Sequence, residues 1–197
     1  MTDRRNVIVH IATSADGYIA RPDGDLEWLT SRPAPKGFYG MDAFMKSIDT
    51  KVLGRKTYEA SLRLGATFKA KDRTVVFSTQ PPPAGTPAGV EFVNEAVAPF
   101  VDRLRAQPGK DIWLMGGGGV IASFLDAEAI DEFVVSVAPV FIGDGIPLLA
   151  RRHPSRAADL AVKRTLRRRP GPAPISRDEP AFVSALVGRT DFRRAEL

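Results

Sequence analysis

Ile112-Trp113-Leu114-Met115-Gly116-Gly117-Gly118-Gly119-Val120-Ile121 is the stretch on which the fold turns. An apolar run passes through four consecutive glycines into a second apolar run. The first, 111–115, reads as a buried strand and the second, 120–127, as a helix. Glycine suits such a junction where a ligand sits on it, because a Cβ would hold a phosphate away from the backbone. The first N–H groups of a helix lack partners within it, and its dipole favours negative charge at that end. A plain strand–helix turn is the alternative, but four glycines exceed what a turn needs. The spacing is neither the G-x-G-x-x-G of a Rossmann unit nor the G-x-x-x-x-G-K-[ST] of a P-loop. No Lys follows the glycines, which argues against a nucleoside-triphosphate hydrolase.

Outward from this junction, strands alternate with helices. Val7–Thr13 is a β-branched strand, followed by a loop, 14–25, with turns at Asp16-Gly17 and Asp23-Gly24. Short helices are expected over Leu26–Ser31 and Met41–Ile48, a strand over Lys51–Leu53 and a helical turn over Thr57–Leu62. Thr74–Ser78 reads as a strand, the Pro-rich 80–89 as a loop, Val90–Val93 as a strand and Ala96–Ala106 as a helix. Ile130–Val137 is a further strand, and Pro139–Ile142 leads into the turn Gly143-Asp144-Gly145. This order predicts a single α/β domain, three-layered, with a central mostly parallel sheet and helices on both faces.

After Leu149 the pattern fails. Residues 150–197 read as a basic, Pro-rich, divergent tail, with Arg167–Pro174 lacking any periodicity and only Ala181–Val187 able to form a helix. The tail is expected to be poorly packed or disordered. Residues 1–150 hold 16 Lys and Arg against 18 Asp and Glu, whereas 151–197 hold 12 against 5. The net charge of +5 therefore belongs to the tail, and no specific nucleic-acid partner is implied. Cysteine is absent, which removes disulfides, thiolate nucleophiles and Cys-ligated metal. Two histidines, His10 and His153, are too few for a His-rich metal site. No apolar run has the length of a membrane span, and a cytoplasmic protein is expected.

Two further stretches carry chemistry. Gly54-Arg55-Lys56-Thr57-Tyr58-Glu59 sets two cations and a hydroxyl at the start of a helix, which suits an anion. An Arg there can recognise a 2′-phosphate and so prefer NADPH to NADH; a solvated charge pair is the other reading. Ser14-Ala15-Asp16-Gly17-Tyr18-Ile19-Ala20 is, alone, a turn.

As an ordered set these stretches, with Phe133–Leu148, resemble the dihydrofolate reductase-like superfamily over roughly residues 6–149, closest to its riboflavin-biosynthesis (RibD C-terminal) reductase domains. The resemblance implies NADPH lying across the carboxyl ends of the strands. It implies that Gly116, Gly117, Gly118 and Val120 line the pyrophosphate, with Met115, Gly119 and Ile121 in the same cofactor-binding junction. Arg55, Lys56 and Thr57, after Gly54, would hold phosphates, including the 2′-phosphate. Ser78 and Thr79 match the adenosine side. Ala12 would lie near the nicotinamide, and the loop from Asp16 through Ile19 to Ala20 would cover it.

At the substrate end, Asp25 matches the folate reductases' carboxylate on the first helix; helix capping is the alternative. Glu27 reads as a solvated neighbour, Trp28 as a wall and Ser136 as a hydroxyl that either meets substrate or is satisfied in its strand. The implied reaction is hydride transfer to a small heterocyclic or ribosyl-type molecule, as in 5-amino-6-(5-phosphoribosylamino)uracil reduction. The sequence departs from that pattern in three ways. It has no fused zinc-deaminase domain, Tyr18 stands where Lys is frequent, and the tail lacks the strands that complete the sheet. A true dihydrofolate reductase and a non-catalytic nucleotide-binding module are the alternatives. The expected partners are a small-molecule substrate and a second copy in a homodimer, with no membrane.

Overall fold

The computed structural model describes residues 4–31, 40–69, 73–149, 162–165 and 183–187. Among the described residues, ten strands and five helices follow in order: β1 (Val7–Thr13), β2 (Tyr18–Ala20), α1 (Glu27–Thr30), α2 (Met41–Ser47), β3 (Ile48–Gly54), α3 (Arg55–Arg63), β4 (Arg73–Phe77), β5 (Val90–Val93), α4 (Val97–Arg105), β6 (Asp111–Gly116), α5 (Gly118–Asp126), β7 (Glu132–Val137), β8 (Ile146–Pro147), β9 (Val162–Thr165) and β10 (Val183–Val187). The main sheet runs β5-β4-β3-β6-β1-β7-β10-β9. The six strands from β5 to β7 pair in parallel. β10 pairs antiparallel with both β7 and β9.

This corrects the reading of the tail. Ala181–Val187 was expected to be a helix, yet Val183–Val187 is a strand, and with Val162–Thr165 it completes the sheet edge. The physical reason is pairing: without β10, β7 would expose a row of backbone donors and acceptors. The basic segment Arg167–Pro174 and His153 lie outside the described residues. A second small sheet was read as loop and turn: β2 pairs antiparallel with β8.

The parallel strands are rich in Val, Ile and Leu because both faces are covered. Adjacent residues go to opposite faces. Val52 and Val75 join the main core with Val7, Val9, Leu114, Phe100 of α4 and Phe124 of α5. Leu53 and Val76 instead pack with Tyr58 of α3 and with Phe68. Phe77, Phe100 and Phe124 meet edge to face, with centroids 4.9 to 6.4 Å apart. On the α3 side the apolar packing divides into smaller clusters. One joins Tyr58 and Phe68, and another joins Trp28 of α1 to Ala138.

Because the six strands are parallel, their carboxyl ends share one edge. There Thr13, Gly54, Phe77, Gly116 and Val137 end their strands. Helices α3 and α5 begin on that edge directly, at Arg55 and Gly118.

Candidate functional site

The glycine junction has a geometry that other residues could not adopt. Gly116 has φ +111°, which L side chains rarely take. The Gly116–Gly117 peptide is cis. A Cβ on Gly118 would lie 2.5 Å from the Pro147 carbonyl oxygen and 3.0 Å from that of Leu148. A Cβ on Gly117 would lie 3.0 Å from Thr57 Oγ1 and 3.9 Å from Ile19 Cδ1. Gly117 thus joins all three sequence stretches at one point: the glycine junction, the start of α3 and the loop after β1. Gly54 belongs to the same cluster, since a Cβ there would meet Val120 Cγ2 at 2.8 Å.

Both helix starts suit an anion. Neither α3 nor α5 has a side-chain N-cap hydrogen bond or an acidic residue in its first turn. In α5 the Val120 and Ile121 amides donate to the Gly117 carbonyl at 3.0 and 3.1 Å. The amides of Gly118 and Gly119 precede these and open the helix. Gly119 is exposed, and Ser123 Oγ donates to its carbonyl at 3.1 Å.

Arg55 lies along the outer rim. Its Nε donates to Glu59 Oε1 at 2.8 Å, and its Nη1 donates to the Pro81 carbonyl at 2.7 Å and to Ser78 Oγ at 3.4 Å. Its guanidinium carbon is 5.7 Å from the Phe92 ring centre. Arg55 and Ser78 are therefore brought together, while Lys56 and Thr79 are exposed on the same rim. Two residues assigned to the cofactor stand further back. Ile121 is fully buried in the main core and packs under Gly116. Met115 packs against the Leu53–Tyr58 cluster.

The loop 14–20 is tied down at several points. The Asp16 carboxylate accepts the Ile142 and Gly143 amides at 3.1 and 2.8 Å. The Ser14 hydroxyl, and then these amides, hold its pKa below the ordinary carboxylate value. Ser14 Oγ also accepts the Tyr18 amide at 3.0 Å, and the Leu148 amide donates to the Gly17 carbonyl at 3.1 Å. Asp16 is thus an anchor between two loops. Ile19, two residues beyond Gly17, is the part of the loop that reaches the glycine junction.

Asp25 makes an Asx-type turn just ahead of α1, whose N-cap is Leu26. Its Oδ2 accepts the Glu27 amide at 3.1 Å, at the start of α1, and lies 3.4 Å from Arg21 Nε. It also borders a cleft between the 23–26 turn and the end of α3, lined by Leu26, Ala60, Arg63 and Leu64. Glu27 is exposed and Trp28 is buried against Ala138. Ala12 is half-buried on β1, in register with buried Ser136 on β7. Sequence reasoning passed over His10, which is 7% exposed on the same strand as Ala12. The signal was there, as a polar residue in an otherwise apolar strand. The carbonyls of Pro147 and Leu148, which leave no room for a Cβ on Gly118, had no sequence signal. Among the described residues, no group of three His, Cys, Asp or Glu is placed to hold a metal.

Comparison with known proteins places this geometry. The model of the RibD C-terminal domain matches residues 5–170. The chain is 38% identical over 144 residues to YwjB, an uncharacterized protein of Bacillus subtilis (strain 168), covering 73% of this chain and 82% of YwjB. It is 27% identical over 165 residues to the riboflavin biosynthesis protein RibD of Corynebacterium ammoniagenes, covering 77% of this chain and 47% of RibD. Among solved structures, it is similar to a Shewanella sp. PV-4 protein provisionally assigned to riboflavin biosynthesis. That match has a TM-score of 0.76 and 28% identity, and covers 93% of this chain and 98% of the other. Enterococcus faecalis dihydrofolate reductase, solved with NADP(H), shares the fold at a TM-score of 0.61 and 17% identity, over 94% and 97% of the two chains.

Proposed function

The chain belongs to the RibD C-terminal domain family, and from that premise we propose that it is an NADPH-dependent reductase acting on a small ribosyl-type substrate. The observation that carries this is the convergence on Gly117. A side chain there would fill the space between Thr57 on α3 and Ile19 on the loop after β1. Three stretches distant in sequence thus leave one backbone cradle, bordered by two helix starts without acids or caps.

The residues fit a dinucleotide phosphate. First-turn amides of α3 and α5 would hold the pyrophosphate, and Thr57 supplies a hydroxyl beside them. Arg55 and Ser78 on the rim would take the 2′-phosphate and adenosine side. NADPH, when bound, supplies the hydride. The chain's own part is to orient, and to exclude water by the loop that Asp16 anchors. Ala12, small and on the edge of β1, leaves room for a flat ring. The substrate class follows from membership of the RibD C-terminal domain family, and 5-amino-6-(5-phosphoribosylamino)uracil reduction would be its representative reaction. The folate alternative rests on Asp25, whose carboxylate is instead engaged with the Glu27 amide and is 41% exposed.

The test is cofactor affinity, by fluorescence or calorimetry, for the wild type and Arg55→Ala with NADPH and NADH. NADPH binding is expected to weaken about tenfold or more in the variant, the size of a charge-assisted contact, with NADH changed little. If neither cofactor binds, the reductase reading falls and the non-catalytic module takes its place.

A further inference from the structure

Helix α3 carries an ion pair whose order runs against helix stability. Arg55 opens the helix and Glu59 lies one turn further on, with Nε and Oε1 2.8 Å apart. Acids are favoured in a first turn and cations in a last one, and at this spacing the better pair puts the acid first. The first turn of α3 instead has Arg55 and Lys56 and no acid. The Glu59 side chain is 42% exposed, and an exposed pair of this kind contributes little to stability. Helix stability therefore does not account for Glu59.

The pair does fix a guanidinium. Arg55 Nε donates to Glu59, and Nη1 donates to the Pro81 carbonyl at 2.7 Å. The guanidinium carbon lies over the Phe92 ring of β5 at 5.7 Å, and Phe92 is itself held edge to face by Tyr58 of α3 at 5.4 Å. Three separate segments thus hold one side chain in one place. Among the described residues, Nη2 has no hydrogen bond. Its two N–H groups remain open on a cation that is otherwise immobilised.

A long side chain that is free before binding loses its rotamer freedom when it grips a phosphate, and one already held does not. Glu59 acts on this in two opposite ways. Its acceptor oxygen orients Arg55, while its charge repels any phosphate that Arg55 binds.

We propose that Glu59 is a positioning residue for the cofactor: it holds Arg55 so that the open Nη2 meets the 2′-phosphate, and thereby raises the preference for NADPH over NADH. This rests on the reductase reading above, in which Arg55 takes the 2′-phosphate. Glu59 itself touches no part of the cofactor, and its orienting effect outweighs its repulsion.

The experiment is calorimetric titration of the full-length chain with NADPH and with NADH, for the wild type, Glu59→Ala, Glu59→Gln, Arg55→Ala and the Glu59→Ala/Arg55→Ala double variant. Glu59→Ala is expected to weaken NADPH about fivefold, the cost of ordering one long side chain on binding, with NADH affinity and Tm unchanged. Glu59→Gln keeps an acceptor and removes the charge, and is expected to bind NADPH at least as tightly as the wild type. In the Arg55→Ala background, Glu59→Ala is expected to leave the NADPH-to-NADH ratio where Arg55→Ala put it. The proposal is overturned by wild-type or tighter NADPH binding in Glu59→Ala, by Glu59→Gln as weak as Glu59→Ala, or by equal losses for NADPH and NADH accompanied by a fall in Tm. Each of these leaves the reductase reading standing, because the wild type still binds NADPH. A wild type that binds neither cofactor overturns both.

Discussion

The two edges of the parallel sheet use polar groups in opposite ways. At the amino-terminal edge, charges are tied into the protein itself. Arg5 is 4% exposed and binds Asp49, Thr50 Oγ1 at 2.8 Å and the Lys110 carbonyl at 2.6 Å. Asp111 accepts the Asn6 amide at 2.8 Å, and Asp131 accepts the Val7 amide at 2.7 Å while pairing with Arg105. These bonds clamp the starts of β1, β3, β6 and β7 together. At the carboxyl-terminal edge, glycines replace side chains, and the starts of α3 and α5 carry no side-chain cap and no acidic residue. Groups satisfied within the chain stabilise it, whereas groups left open can bind something else.

This contrast can be broken at either edge. The largest effect is expected from Arg5→Met, which removes a buried cation and strands its acceptors. Stability should fall by about 3 kcal/mol in denaturant titration, while NADPH affinity of the folded fraction stays at the wild-type level. A loss of cofactor affinity as large as the loss of stability would show that the edges are not separable. Next is Gly118→Ala, whose Cβ would press on the Pro147 and Leu148 carbonyls. It should cost about 2 kcal/mol from overpacking and also weaken NADPH, a pairing absent in Arg5→Met. Asp25→Ala should cost about 1 kcal/mol or less, as loss of one exposed turn hydrogen bond to the Glu27 amide; a collapse of turnover at unchanged stability would instead place Asp25 on the substrate.

The smallest effect on global stability is expected for Asp16→Asn, which should speed amide exchange at Ile142 and Gly143 and barely move Tm. Here the pH sign is set by the lowered pKa. The contact is fully present above the ordinary carboxylate value, and is lost as pH falls through the lower folded value. Faster exchange at those two amides in acid, abolished in Asp16→Asn, checks this.

Much of the carboxyl-terminal edge was legible because each stretch is local in sequence. Val7–Thr13 and Val90–Val93 coincide with observed strands. The glycine run and Gly54–Thr57 do meet at Gly117 and Thr57. What escaped depends on distant partners. Val183–Val187 has an apolar pattern that fits a helix as well as a strand, and its strand state follows from β7 having an edge to pair. The β2–β8 pairing joins residues far apart in sequence, each too short to declare itself. Asp16 looked like a turn residue, and its role as an anchor appears only when the 142–143 backbone is brought to it.

The sequence by itself determined the alternation of strands and helices, the parallel sheet that alternation requires, and the glycine run at the junction of β6 and α5. The alternation is a local property of periodicity, and the glycine run is a local property of the missing Cβ. Only the tertiary structure decided that the 147–148 carbonyls leave no room for a Cβ on Gly118, that Asp25 engages the first amide of α1, and that His10 Nδ1 is buried without a partner among the described residues. Those facts depend on which groups distant segments bring within hydrogen-bonding distance, and a buried polar atom is satisfied or orphaned only once its neighbours are in place.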